Sequence, residues 1–236
     1  MAAPFKFFYD LMSPPTRALY ILFNHLRVPY EPVKIALRRS EHLTDEFQKN
    51  VHRLSLMPVI HHNGLRLSES VAILHYLARE KILPAGNSFF PLNDDKTLAR
   101  IDEYLEWTHN NMRLGAGMLF RLKWITPFIT GEKPSPKEVK RYEKIFEQSL
   151  NTLENVWLEE QKFIAGNKIT YADILAACDI EQTKIAGYHP LKNRPKLHDW
   201  LETVRKETNP VFDEGHKYIY KYAEQYKGDV PVKSSL

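Results

Sequence analysis

Met57-Pro58-Val59-Ile60-His61-His62-Asn63-Gly64-Leu65-Arg66-Leu67-Ser68-Glu69-Ser70 holds two strands, the turn between them and the start of a helix. Residues 59–61 and 65–67 read as strands flanking Asn63-Gly64, a pair that accepts the positive φ angles of a tight hairpin. Pro58 opens the first strand, a position where the missing N–H costs no ladder bond. A cis Met57-Pro58 bond turns the chain sharply there and leaves the Met57 N–H and C=O outward, free to pair with an extended peptide. Glu69 and Ser70 open the next helix, whose unpaired N–H groups favour a carboxylate. A peptide-like ligand with a free amine and a carboxylate fits between these two features. Each alone reads as an ordinary turn or helix start; together, at this separation, they point to a ligand.

Upstream, Phe5–Tyr9 reads as a buried strand, and Ser13-Pro14 as an N-cap followed by proline at the first helical position. Ala18, Leu19, Leu22 and Leu26 then repeat at helical spacing. Residues 30–37 read as a second strand and 41–49 as a short polar helix. Val71, Leu74 and Leu77 share a helix face after the hairpin. The order β-α-β-α-β-β-α predicts a mixed four-stranded sheet covered by helices.

The pattern breaks at Leu83-Pro84-Ala85-Gly86-Asn87. This divides the chain into an α/β domain at 1–83, a linker at 84–93 and an all-α domain at 94–236. Leu98, Ile101, Leu105, Thr108 and Met112 mark a long helix that Pro127 ends or kinks. Pro134-Ser135-Pro136 starts a helix running to about residue 161. An apolar helix spans 170–184, with Thr170 and Asp173 as its capping box and Ile169 and Ile174 as a hydrophobic staple. Arg194-Pro195 and Asn209-Pro210 start the last two helices, and residues 232–236 are expected to fray.

Hydrophobic residues at 43% and charged residues at 26% suit a water-soluble globular chain. The formal charge of +4 is spread along the sequence, which argues against nucleic acid but favours small anionic ligands. Cys178 is the only cysteine, so no internal disulfide, zinc cluster or CxxC pair can form. The ten histidines show no ligand spacing, and no metal is expected. The first residues lack a signal-peptide core and no apolar run reaches membrane length, so a cytoplasmic location is expected.

A strand-initial proline in a small α/β domain, joined to an all-helical domain, resembles the glutathione transferases. Residues 10–21, from Asp10-Leu11-Met12-Ser13-Pro14-Pro15-Thr16-Arg17, resemble the theta class. So do His42-Leu43-Thr44, Leu67-Ser68-Glu69-Ser70-Val71-Ala72-Ile73-Leu74 and Arg100-Ile101-Asp102-Glu103-Tyr104-Leu105, with an insect-like source in view. The resemblance covers nearly the whole chain. It implies a thioredoxin-like domain followed by a helical one, usually as a homodimer. It also implies conjugation of glutathione, as co-substrate without a permanent cofactor, to small hydrophobic electrophiles in detoxification. Relatives also dehalogenate or reduce peroxides.

By this resemblance Ser13 activates the thiol, and the Met57 backbone pairs with the cysteinyl unit beside a cis Pro58, with Leu56 contributing backbone. Glu69 meets the γ-glutamyl amine, Ser70 the γ-glutamyl carboxylate, and His42 lies near the glycyl carboxylate. Arg113 matches an arginine that faces the active site in theta relatives. Met12, Met112, Arg113, Gly117 and Phe120 are the electrophile-pocket candidates; Met112, Gly115, Gly117 and Phe120 follow at a loose apolar spacing that reads as core by default, with the glycines leaving room for a cleft. The chain departs from the theta pattern in three places. Ser55 and Leu56 replace the usual lysines, Pro14 follows Ser13 directly, and no tryptophan follows Trp200 to form a C-terminal lid.

Each residue also has a plain structural reading. Ser13 caps a helix, Glu69 complements a helix dipole, His42 is a solvated surface histidine and Arg113 a salt-bridge partner. Tyr9 is the rival thiol activator, but strand alternation aims it away from Ser13. Cys178 reads as an inert buried thiol. The competing function is a non-catalytic binding module or carrier of apolar ligands on the same fold; Ser13 argues against it, because a carrier needs no thiol activator.

Overall fold

Strand β1 (Phe5–Tyr9) divides its side chains by parity, as the two-residue period of a strand requires. Phe5, Phe7 and Tyr9 enter the main core, whereas Phe8 joins Ile35, Phe47 and Val59 on the opposite face. The computed structural model describes residues 4–226, so the fraying expected at 232–236 lies outside the described residues. Strand β2 (Tyr30–Lys34) runs parallel to β1, with Phe5 opposite Tyr30. Strand β3 (Val59–His62) is antiparallel to β1, with Phe7 opposite Ile60, and β4 (Leu65–Ser68) is antiparallel to β3. The order β2-β1-β3-β4 is the expected mixed four-stranded sheet. Asn63 and Gly64 take φ of 48° and 80°, the two positive values of a tight hairpin turn.

This topology gathers the ligand candidates. β1 and β2 exit at one end of the sheet, β3 starts there, and β4 finishes there. Residues 10–13, 35–43, 57–58 and 69–70 therefore collect at a single sheet end. Helix α1 (Pro14–His25) follows β1, α2 (Asp45–Asn50) follows β2, and α3 (Ser70–Arg79) follows β4.

The second strand is shorter than the sequence suggested, and it ends at Lys34. Asp10 accepts the Leu37 N–H at 2.9 Å and Glu41 accepts the Ala36 N–H at 2.6 Å, which curls Leu37–Arg39 into a 3₁₀ turn. The polar helix expected over 41–49 is split. A 3₁₀ turn at Glu41–Leu43 precedes α2, because Thr44 caps α2 by accepting the Phe47 N–H at 3.2 Å.

The second half is helical: α4 (Asp95–His109), α5 (Met112–Phe120), α6 (Thr126–Thr130), α7 (Pro136–Thr152), α8 (Tyr171–Gln182), α9 (Pro195–Thr208) and α10 (Val211–Tyr226). The long helix breaks at Asn110-Asn111, not at Pro127. Asn111 leaves helical geometry (φ −123°, ψ −97°), and its side-chain amide donates to the Trp107 carbonyl at 2.7 Å. Pro127 sits in the first turn of α6, where its absent N–H is tolerated, directly after a π-helical turn at Arg121–Ile125. The helix expected to reach 161 stops at Thr152 and continues as a π-helical turn at Leu153–Trp157.

Every residue of α8 is buried, so this helix is the axis of the molecule. The Thr170–Asp173 capping box is present, and Asp173 also accepts the Ile164 N–H at 2.9 Å and the Trp200 indole N–H at 3.0 Å. Gly115 does not open a cleft. A Cβ there would lie 2.7 Å from the Phe146 Cα, so it is the point where α5 and α7 touch. The two halves are tied by Arg17 of α1, which is fully buried. Its guanidinium donates to the Leu11 carbonyl at 2.8 Å and to the Cys178 carbonyl of α8 at 2.9 Å. Burial pushes the Cys178 thiol up to about 12, consistent with an inert structural cysteine.

Candidate active site

The turn that carries Ser13 is built by Asp10. One carboxylate oxygen accepts the Met12 N–H at 2.8 Å, the other accepts the Leu37 N–H, and the Asp10 carbonyl accepts the Ser13 N–H at 3.1 Å. Ser13 then takes N-cap geometry (φ −88°, ψ 119°), and its carbonyl accepts the Arg17 N–H at 2.9 Å. An N-cap hydroxyl normally accepts from the second or third helical N–H. Here Pro14 and Pro15 fill the first two positions, and the Ser13 side chain makes no cap bond. Its half-buried hydroxyl is thus uncommitted to the helix. The same two prolines remove two N–H groups from the helix start, so the local field on an anion is weaker than at an ordinary N-terminus.

Ser13 borders a cavity of about 720 Å³ between the sheet end and the helical half. Met12, Pro14, Arg38 and His42 line it from the first half, and Phe120, Arg121, Trp124, Tyr222 and Tyr226 from the second. Two of the lining residues, Met12 and Trp124, belong to a buried cluster with Ile185 and Ile219. Burial holds the His42 imidazole below its ordinary range, against the pull of the Asp10 carboxylate, and its Nδ1 is buried without a hydrogen-bond partner among the described residues. A neutral imidazole still donates one N–H.

The remaining ligand candidates lie on the same sheet end, outside the cavity lining. The Met57-Pro58 bond is cis. Val59 pairs with Ser68, so the register continues Pro58 and Met57 alongside Glu69 and Ser70. Glu69 has φ 69° and ψ 113°, a backbone that side-chain-bearing residues rarely adopt. Strain of this kind costs about 1–3 kcal/mol and clusters at ligand clamps. Ser70 is buried at the first position of α3, Met57 is half-buried and Leu56 is exposed.

Of the residues expected to face an electrophile, Met12 and Phe120 line the cavity and three do not. Met112 is fully buried in the core. Arg113 pairs with the buried Asp179 at 3.1 Å, so its plain salt-bridge reading holds. Gly117 faces open space on the outside of α5. Tyr9 is buried and stacks on Phe7 and Tyr20, with ring centroids 5.5 and 5.8 Å away, on the core side of the sheet.

The sequence reading missed Asp10, Arg38, Arg121, Trp124, Tyr222 and Tyr226. The i, i+4 spacing of Tyr222 and Tyr226 was a usable signal, because it sets both rings on one face of the last helix. Trp124 packs against them at centroid distances of 6.0 and 5.2 Å. Arg38 hydrogen-bonds the Tyr222 hydroxyl, and its guanidinium lies 4.9 Å from the ring centroid, bridging the two halves across the cavity.

Comparison with known proteins agrees with this geometry. Family models described as glutathione S-transferase N-terminal domain and C-terminal domain match residues 3–79 and 118–207. Glutathione S-transferase theta-1 of Bos taurus is 33% identical, over 98% of this chain and 95% of its own. The chain belongs to the theta class of the glutathione S-transferases. Glutathione S-transferase T1 of Arabidopsis thaliana is 32% identical, over 94% of this chain and 91% of its own. Among solved structures, apo human glutathione-S-transferase T1-1 superposes with a TM-score of 0.87 at 30% identity, covering 98% of this chain and 93% of that one. Human glutathione transferase theta-2, solved in complex with glutathione and an unknown ligand, also scores 0.87, at 29% identity, covering 97% and 93%. This transferase accordingly has the thioredoxin-like domain and the helical domain of its family. No helix among its described residues is long and apolar enough to cross a membrane.

Proposed function

We propose that the chain conjugates the glutathione thiolate to small hydrophobic electrophiles, as a cytoplasmic detoxifying homodimer with no permanently held cofactor. The observation that carries this reading is Ser13, whose hydroxyl is not used as a helix cap and borders the cavity. The hydroxyl donates a hydrogen bond to the bound sulfur and lowers its pKa below the free value of about 8.5. Glutathione lies along the sheet end. Its γ-glutamyl amine meets Glu69 and its γ-glutamyl carboxylate meets Ser70 with the first-turn N–H groups of α3. The Met57 backbone, between Leu56 and Pro58, pairs with the cysteinyl unit, and His42 donates to the glycyl carboxylate. The electrophile enters beside Met12 and Phe120. The domain division at 1–83, 84–93 and 94–236 follows the last sheet helix, which ends at Arg79, and the first bundle helix, which starts at Asp95.

The test is glutathione consumption by the purified chain with an alkyl halide and with an isothiocyanate. Consumption well above the uncatalysed rate is expected, and its absence with both would refute the reading. Alanine at Glu69 or Ser70 should each weaken glutathione binding by about 1–3 kcal/mol in calorimetry. Light scattering at micromolar concentration should give a dimer mass.

A further inference from the structure

We infer that the cavity selects electrophiles carrying a permanent anionic group, a carboxylate or sulfonate, on an aromatic body. This names a substrate class for the transferase site proposed above and rests on that reading. The chemistry of the lining carries it. Among the described residues no aspartate or glutamate lines the cavity, whereas Arg38 and Arg121 do, from opposite halves of the chain. Neither arginine makes an ion pair with a carboxylate among the described residues.

Exposed arginines are ordinary on a protein surface. These two are distinguished by placement. Both flank a mostly apolar chamber whose other polar lining groups carry no negative charge, and its low-dielectric walls focus the field of a single sign. A guanidinium offers a planar fork that takes a carboxylate or sulfonate through two parallel hydrogen bonds. Arg38 is held in place by the Tyr222 ring and hydroxyl, which occupies only part of its donor set. Arg121 opens the π-helical turn Arg121–Ile125, and Trp124 and Ile125 of that turn line the same chamber. π-Helical turns concentrate at functional sites. Trp124, Tyr222 and Tyr226 give the aromatic body flat, apolar faces to pack on. In the reading proposed above the γ-glutamyl carboxylate of glutathione is met at Ser70 and the glycyl carboxylate at His42, and neither role is assigned to these two guanidinium groups.

The probe pair is 4-(bromomethyl)benzoate and its neutral methyl ester. In each reaction the glutathione sulfur attacks the benzylic carbon, the C–Br bond breaks, and bromide leaves with the electron pair; the thiol proton goes to solvent. Both rates are measured at saturating glutathione and divided by the uncatalysed rate of the same compound, so effects on glutathione binding cancel in the ratio. The normalised kcat/KM should favour the benzoate by about tenfold or more at low salt, and the preference should shrink as salt rises. Arg121→Gln should lower the benzoate-to-ester ratio, Arg121→Lys should restore part of it, and Arg38→Gln with Arg121→Gln should bring it close to one. Both side chains are exposed, and circular dichroism checks that the variants fold. Turnover of both compounds without preference, or a preference that survives both substitutions, would overturn this inference and leave the transferase reading standing. Turnover of neither would overturn this inference, and together with no consumption of an isothiocyanate it would overturn the transferase reading as well.

Discussion

Asp10 sets the position of Ser13 without being a candidate for the chemistry itself. Its carboxylate holds two backbone N–H groups, one in the Ser13 turn and one in the segment after β2. Asp10→Ala should cost about 1.5–3 kcal/mol in urea denaturation, the range for a hydrogen bond to a charged group. It should also lower kcat by about 10²-fold, because a misplacement near 1 Å is enough for that loss. Tyr9→Phe should leave activity nearly unchanged, since burial against Tyr20 and Phe7 raises the pKa of its hydroxyl and keeps it in the core. Ser13 was legible in the sequence because a serine before two prolines after a buried strand is a local pattern. Asp10 was not, because its second partner, Leu37, lies on a different segment.

At the scale of elements, period and capping were readable and crossings were not. The alternation of Phe5, Phe7 and Phe8, the Asn63-Gly64 turn and the Thr170–Asp173 box each express a short-range rule, and each is present. The Asn110-Asn111 break and the π-helical turn before Pro127 depend on how α4 to α6 pack, which no local rule states. Two glycines two residues apart on α5 separate these cases. Gly115→Ala should destabilise by about 1–3 kcal/mol, because its methyl group would meet the Phe146 backbone of α7. Gly117→Ala meets nothing within 4 Å and should stabilise α5 by up to about 1 kcal/mol. Thermal unfolding of the two variants should therefore shift in opposite directions.

Across the whole molecule, the helical half closes a site that the sheet end begins, and buried polar groups hold the two together. His216 on α10 is fully buried, and burial together with the charge of Arg17 holds its pKa well below the ordinary value of 6.5. Above pH 6.5 it is neutral in both states and costs nothing. As pH falls below 6.5 the unfolded chain binds a proton that the folded chain refuses, so stability declines. The slope should approach 1.4 kcal/mol per pH unit for this one group, at most about that value, and His216→Gln should flatten it in denaturant titrations. The assembled site has one purpose in this reading, to ionise a bound thiol against Ser13. The direct measurement is the ultraviolet absorbance of the thiolate during pH titration of bound glutathione, in the wild type and in Ser13→Ala. The wild type should titrate clearly below the free thiol value of about 8.5. Ser13→Ala should titrate higher, lose about 10²–10³-fold in activity near neutral pH and recover part of it at alkaline pH. A bound thiol whose pKa is the same in both proteins would contradict the assignment of Ser13 as the thiol activator.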